Sequence, residues 1–172
     1  MSSASAEQRQ TQQAGGKYLT FFLAGEEYGI TILKVQEIIG MMPITSVPGT
    51  PAFLRGLINL RGKVIPIVDL RRKFEMSAVD QTAETCIIVV QVKGIEMGIV
   101  VDRVSEVLNI SADDVEDTPF FGAEVNTEYI LGICKAQGKV RILLDIDLIL
   151  SHEDIQAIPA PDPGGTQNEM VL

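Results

Sequence analysis

A chain of 172 residues that is 46% hydrophobic and 22% charged has globular composition, and no stretch approaches the roughly 20 apolar residues a membrane span needs. Fourteen Lys and Arg against 23 Asp and Glu leave a net charge of −9, whose field repels phosphate backbones and anionic lipid head groups. Collagen, an extended coiled coil and an integral membrane protein are excluded, and nucleic-acid or membrane-surface roles are disfavoured.

Fifteen Gly and eight Pro spread through apolar segments, with no Trp, favour many short strands broken by turns over long helices. Met1 to Gly16 is rich in Ser, Gln and Ala and carries neither a basic nor an apolar signal region. It reads as a disordered tail on a cytoplasmic protein. Tyr18 to Leu23 and Tyr28 to Ile32 are apolar runs around the turn residue Gly25, which predicts a hairpin. Ile32, Val35, Ile38 and Ile39 fit helical spacing while Val35, Glu37 and Ile39 also alternate. A short helical turn feeding an extended segment satisfies both. Leu57 to Leu60 and Val64 to Val68 flank Arg61-Gly62-Lys63, a second hairpin. Further on, Cys86 to Val92 and Met97 to Val101 flank Gly94, and another hairpin surrounds Gln137-Gly138-Lys139. Leu148, Ile149, Leu150, Ile155 and Ile158 predict one packing helix within Asp147 to Ile158, before a Pro/Gly-rich tail over 159–172.

The hairpins recur because the chain repeats. Gly25-Glu26-Glu27-Tyr28-Gly29-Ile30 returns 69 positions later as Gly94-Ile95-Glu96-Met97-Gly98-Ile99, and Gly56 to Leu70 returns 76 positions later as Gly132 to Ile146. A duplicated unit of about seventy residues follows, with subdomains expected near 24–75 and 85–146. Units of about five short strands remove exposed edges by closing into small barrels.

No active site assembles from these residues. Gly56-x5-Gly62-Lys63 is one residue too long for a phosphate loop, and Val64 stands where the metal-binding hydroxyl belongs. Asp69 and Asp145 each follow an apolar strand, yet the other acids and alternating helices of a phosphoacceptor domain are missing, so turn or helix N-cap roles are expected. His152 is the only histidine, which excludes nucleophilic triads and paired-histidine zinc motifs. Cys86 and Cys134 show no metal-ligand spacing and read as buried thiols. Eight acids against Arg103 alone lie between Asp102 and Glu128, without calcium-loop offsets. One asymmetry between the copies stands out: Asn59-Leu60-Arg61-Gly62 is replaced by Lys135-Ala136-Gln137-Gly138, so the fold does not require Arg61. It is either a docking residue or a solvated turn cation.

The runs Glu27-Tyr28-Gly29-Ile30, Ile32-Leu33-Lys34-Val35-Gln36-Glu37-Ile38, Pro51 to Gly62, Ile65 to Arg71, Gly98 to Val104 and Thr127 to Gly132 closely resemble the CheW family of bacterial chemotaxis coupling proteins, over about residues 17 to 150. The resemblance implies an all-β fold of two five-stranded SH3-like barrels with short helices, forming a CheW-like domain over 17–158. It implies no catalytic activity and no cofactor. Such proteins bridge transmembrane chemoreceptors to the histidine kinase CheA, so the chain is expected in the cytoplasm, recruited to the inner face of the membrane through receptor arrays. Carried over residue by residue, the groove for the receptor's helical tip comprises Val35, Glu37, Ile38, Ile87, Gly98, Val104 and Val107, with Arg61, Gly56 and Gly132 at its edges. The surface for the regulatory domain of the kinase comprises Ile44, Val47, Pro48 and Phe121, where Phe120-Phe121 interrupts an acidic stretch. The competing expectation is a free-standing small-barrel ligand or oligonucleotide binder using the six cations between Arg55 and Lys73, although only Phe53 and Phe74 could serve as stacking platforms.

Overall fold

A computed structural model describes residues 15–117 and 128–158. In chain order these form β1 (Gly16–Leu23), β2 (Glu26–Thr31), a 3-10 turn (Ile32–Lys34), β3 (Val35–Gly40), β4 (Leu54–Leu60), β5 (Lys63–Asp69), the short helix α1 (Leu70–Lys73), β6 (Cys86–Val92), β7 (Ile95–Val101) and β8 (Arg103–Ile110). A second 3-10 turn (Ala112–Asp114), β9 (Val115–Glu116), β10 (Ile130–Ala136), β11 (Lys139–Leu144), α2 (Ile146–Ile149) and α3 (His152–Gln156) follow. Four hairpins share one tip geometry: Ala24-Gly25, Arg61-Gly62, Lys93-Gly94 and Gln137-Gly138 all have positive φ at both residues. That is the two-residue turn whose twist matches the strands it joins, and glycine at its second position removes the steric cost there.

Two sheets result, ordered β3-β6-β7-β5-β4 and β8-β1-β2-β11-β10-β9. Applying the 69- and 76-residue offsets turns one order into the other, with β9 beside β10 where the first repeat has only the Thr45–Leu57 bridge beside β4. The expected barrels correspond to these two sheets, but their boundaries do not fall between the repeats at 24–75 and 85–146. Each sheet takes its first hairpin from one repeat and its remaining strands from the other. The exchange is made by parallel contacts, Ile67 against Gly98 and Leu143 against Gly29. Short connections carry the chain from one sheet into the other, the three-residue 3-10 turn between β2 and β3 and Asp102 alone between β7 and β8.

Three apolar clusters match this arrangement. Ile58, Ile65, Ile67, Ile87, Val89 and Val100 fill the five-stranded sheet, and Tyr18, Ile110, Val115, Cys134 and Leu143 fill the six-stranded one. The largest cluster, including Leu19, Phe21, Leu23, Ile30, Ile88, Val90, Val92, Ile99 and Val101, is shared between them. The exchanged hairpins are therefore buried on both faces, which is why β6 and β7 read as continuous apolar runs and not as alternating ones.

Each junction between the sheets is clasped by an ion pair that also holds a hairpin tip. Arg71 donates to Asp102 through Nε at 2.8 Å and Nη2 at 2.6 Å, and Asp102 Oδ2 accepts the Ala24 N–H at 2.9 Å. At the pseudo-equivalent junction Lys34 Nζ lies 2.7 Å from Asp147 Oδ2, and Asp147 Oδ1 accepts the Lys93 N–H at 3.3 Å. Lys93 is the counterpart of Ala24 and Asp147 that of Arg71, so the polarity is reversed while the hydrogen bond to the tip is kept. As expected, Asp69 and Asp145 are N-caps, accepting from Arg71 N at 2.9 Å and Asp147 N at 3.0 Å. The single helix expected over 147–158 is instead two, because Ser151 and Asp154 form a capping box that restarts the helix; Lys73 then ties Asp154 to α1 at 2.6 Å.

One charge pair lies inside. Arg141 on β11 and Glu27 on β2 are 1% and 7% exposed with Nε to Oε2 at 3.2 Å, and the other sheet has Ile65 in place of Arg141. A buried pair gains little over an apolar one, whereas half a pair is costly. Arg141→Met should therefore destabilise by about 3–5 kcal/mol in chemical denaturation, and adding Glu27→Leu should recover most of that loss. A double variant as unstable as the single one would show that the pair contributes more than mutual neutralisation.

The hydrogen bonds from Arg71 hold the Asp102 carboxyl below the usual carboxylate range, with the Ala24 N–H assisting against partial burial. A lowered carboxylate pKa contributes stability above the unfolded value of about 4 and loses it as pH falls through the folded value. Asp102→Asn should be less stable than the parent at pH 7, with the gap closing below about pH 4 in thermal melts; a gap independent of pH would contradict the clasp.

Candidate functional site

The strand β3 is an edge of the five-stranded sheet, and its residues alternate between half-buried and exposed. A bulge between Val35 and Glu37, opposite Val90 and Val89, re-aims the strand. Val35 packs against the shared core, while Ile38 is 46% exposed. Glu37 forms an ion pair with Arg61, which projects from the β4–β5 tip. That contact brings the tip back to the opposite edge strand, and the hydrogen bond Arg61 donates to Glu37 raises the guanidinium pKa further. Asn59 Oδ1 accepts the Gly62 N–H at 2.8 Å and fixes the tip.

The matching edge of the six-stranded sheet is β8, bulged at the counterpart position. Val104 packs against the same shared core as Val35, and Val107, the counterpart of Ile38, is 51% exposed. Thr20 braces the bulge, its hydroxyl donating to the Glu106 carbonyl at 3.0 Å and accepting the Glu106 N–H at 3.2 Å. Val35, Glu37 and Ile38 thus lie on one edge strand and Val104 and Val107 on its counterpart, Val35 and Val104 against the core shared by the sheets, with the Arg61 tip tied to the first edge through Glu37.

Four residues of the expected receptor groove are not surface. Ile87 is fully buried in the core of the five-stranded sheet. Gly98 is buried beside it, where an added Cβ would stand 2.6 Å from Ile87 Cγ2 and 2.7 Å from Ile67 Cδ1. At Gly56, with φ of 142°, a Cβ would meet the Thr45 carbonyl oxygen at 2.1 Å, and at Gly132 it would meet Val115 Cγ1 at 2.6 Å. These glycines are buried, and their missing side chains let neighbouring segments approach closely. Of the expected kinase surface, Ile44 is half-buried against the five-stranded core, Val47 is half-buried with its carbonyl accepting from Thr50 Oγ1 at 2.7 Å, and Pro48 is exposed. Phe121 lies outside the described residues, as does Phe120.

The cations between Arg55 and Lys73 do not form a free basic patch. Arg55 and Arg72 pair with Asp69, Arg61 with Glu37, Lys63 with Glu96, Arg71 with Asp102 and Lys73 with Asp154. A polyanion would have to break these pairs, which removes the main support for the ligand- or oligonucleotide-binding alternative. Cys134 is buried and Cys86 half-buried, and burial pushes both thiols up. Among the described residues no group of three or more His, Cys, Asp or Glu side chains could hold a metal ion, and no helix is long and apolar enough to cross a membrane.

Sequence reasoning passed over three features: the Arg71–Asp102 clasp, the buried Arg141, and Leu33, which is 90% exposed. The repeat offset is the signal that could have found them, since it sets Leu33 against Asp102, Arg71 against Asp147 and Arg141 against Ile65.

The CheW-like domain family model matches residues 17–154. The chemotaxis protein CheW of Klebsiella aerogenes is 41% identical over 147 residues, covering 86% of this chain and 89% of that protein. The chemotaxis protein CheW of Bacillus subtilis is 32% identical over 149 residues, covering 86% and 95%. Among solved structures, the scaffolding protein TtCheW of Thermoanaerobacter tengcongensis superposes with a TM-score of 0.74 at 34% identity, over 81% of this chain and 95% of that one. With matches of this length joining the duplicated fold and its paired edge strands, the chain belongs to the CheW-like family of non-catalytic chemotaxis scaffold proteins.

Proposed function

We propose that this scaffold works in the cytoplasm and holds two partners at once: the helical tip of a chemoreceptor along the β3 and β8 edges, and the regulatory domain of the histidine kinase CheA on Ile44, Val47, Pro48 and Phe121. Recruitment to the inner face of the membrane would then come through the receptor. The observation that carries the reading is the Arg61–Glu37 pair beside the exposed Ile38, on the repeat that departs from its own duplicate at Gln137. An exposed guanidinium beside apolar side chains suits a helix, since the fork pairs with carboxylates or carbonyls while Ile38 and Val107 bury area.

Arg61 occupies a left-handed position, φ 52°, which asparagine tolerates better than most residues. Arg61→Asn should keep or slightly raise the thermal midpoint while weakening binding of a receptor cytoplasmic fragment about tenfold, a change of about 1.4 kcal/mol. Loss of the fold would make Arg61 structural, and unchanged affinity would remove it from the docking surface. Separate surfaces also predict separable losses. Glu37→Lys should weaken the receptor fragment and leave the kinase domain within about twofold, whereas Pro48→Glu should do the reverse, each by calorimetric titration. One substitution abolishing both interactions in a folded protein would contradict the two-surface reading.

A further inference from the structure

Leu33 is the most exposed large hydrophobic residue among the described residues, at 90%. Its presentation is fixed, because the 3-10 turn that carries it is capped by Thr31 Oγ1 on the Leu33 N–H at 3.4 Å and closed by the Val35 N–H on the Ile32 carbonyl. Nothing in the fold asks for leucine here. The counterpart in the second repeat is Asp102, which is committed to Arg71, whereas in the first repeat the clasp is made by Lys34 and Asp147 and leaves Leu33 facing solvent.

Isolated exposed hydrophobics are ordinary, so the neighbourhood decides. Leu33, Lys34, Lys93 and Asp147 border a shallow open depression of about 680 Å³. The Lys34 ammonium is bound to Asp147, but the Lys93 ammonium makes no ion pair among the described residues; only its backbone N–H is used, on Asp147. The depression is continuous with β3, since Val35 pairs with Val90 near the β6–β7 tip that carries Lys93. From Leu33 to Ile38 the chain runs on the order of 15 Å, a length that about ten residues of helix would cover. A helix lying along it meets Leu33, Val35 and Ile38, with the unpaired Lys93 ammonium at one end and the Arg61–Glu37 pair toward the other.

We propose that Leu33 and Lys93 extend the receptor-docking surface past Val35, seating an apolar side chain and a carboxylate of the docked helix. The proposal rests on the receptor reading of β3 given above, and it adds that the helix carries an acidic residue beside its apolar face at the Lys93 end of the contact.

The test titrates the full-length chain with a chemoreceptor cytoplasmic fragment and, in parallel, with the kinase regulatory domain. Leu33→Asp installs the residue the second repeat uses, and Lys93→Glu and Lys93→Gln probe the charge. Lys139→Glu serves as an exposed control on the far hairpin, and thermal melts confirm folding. Leu33→Asp and Lys93→Glu should each weaken the receptor fragment about tenfold and Lys93→Gln about threefold, with a shallower salt dependence for both Lys93 variants and no change for the control or for the kinase domain. Wild-type affinity in Leu33→Asp and Lys93→Glu, with Glu37→Lys still weakened, would end the surface at Val35 and overturn the proposal. A loss confined to the kinase domain would overturn it too, and a parent chain that does not bind the fragment would remove the receptor reading and this extension together.

Discussion

Two parallel strand contacts, Ile67 against Gly98 and Leu143 against Gly29, seat each leading hairpin on strands contributed by the other repeat. Both glycines sit where the contact is closest: an added Cβ at Gly29 would stand 3.1 Å from Leu143 Cδ2, and one at Gly98 closer still to Ile67. Because the hairpins are exchanged, neither repeat can complete its sheet alone, and both faces of each hairpin are buried. The junctions where the chain crosses between sheets are then pinned by Arg71–Asp102 and Lys34–Asp147, each of which also binds the backbone of a hairpin tip. The seam bordered by β3 and β8 inherits its geometry from these constraints.

Much of this was legible in the sequence, for identifiable reasons. Hairpins whose tips need two positive-φ residues announce themselves by glycine at the second position, so Arg61-Gly62 and Gln137-Gly138 were placed correctly. The duplication was visible as constant offsets, and the capping roles of Asp69 and Asp145 followed from their position after apolar strands. The exchange was not legible, since a repeat unit looks the same whether its hairpin folds back on its own strands or on those of its duplicate. The crossovers that carry the exchange are three residues in one place and one in the other, and strand ends drawn from sequence are uncertain by that much.

The expected site residues divide by the same measure. Positions on edge strands, Glu37, Ile38 and Val107, are half-buried or exposed. Ile87 and Gly98 sit on a strand pair buried on both faces, and period-two alternation carries no information there. The asymmetries between repeats proved more informative than the similarities. Arg61 against Gln137, Leu33 against Asp102 and Arg141 against Ile65 each mark a place where the common fold permits a choice. Two of the three first-repeat residues, Arg61 and Leu33, are exposed, Leu33 just before β3 and Arg61 tied to it through Glu37.

Site-resolved hydrogen exchange in graded denaturant measures the exchange of hairpins most directly. If the hairpins are completed by the opposite repeat, amides of β1 and β2 open together with those of β10 and β11, and amides of β6 and β7 open with those of β4 and β5. Protection that instead groups by sequence half, with β1 and β2 lost alongside β4 and β5 while β6 to β11 stay closed, would contradict the exchanged architecture.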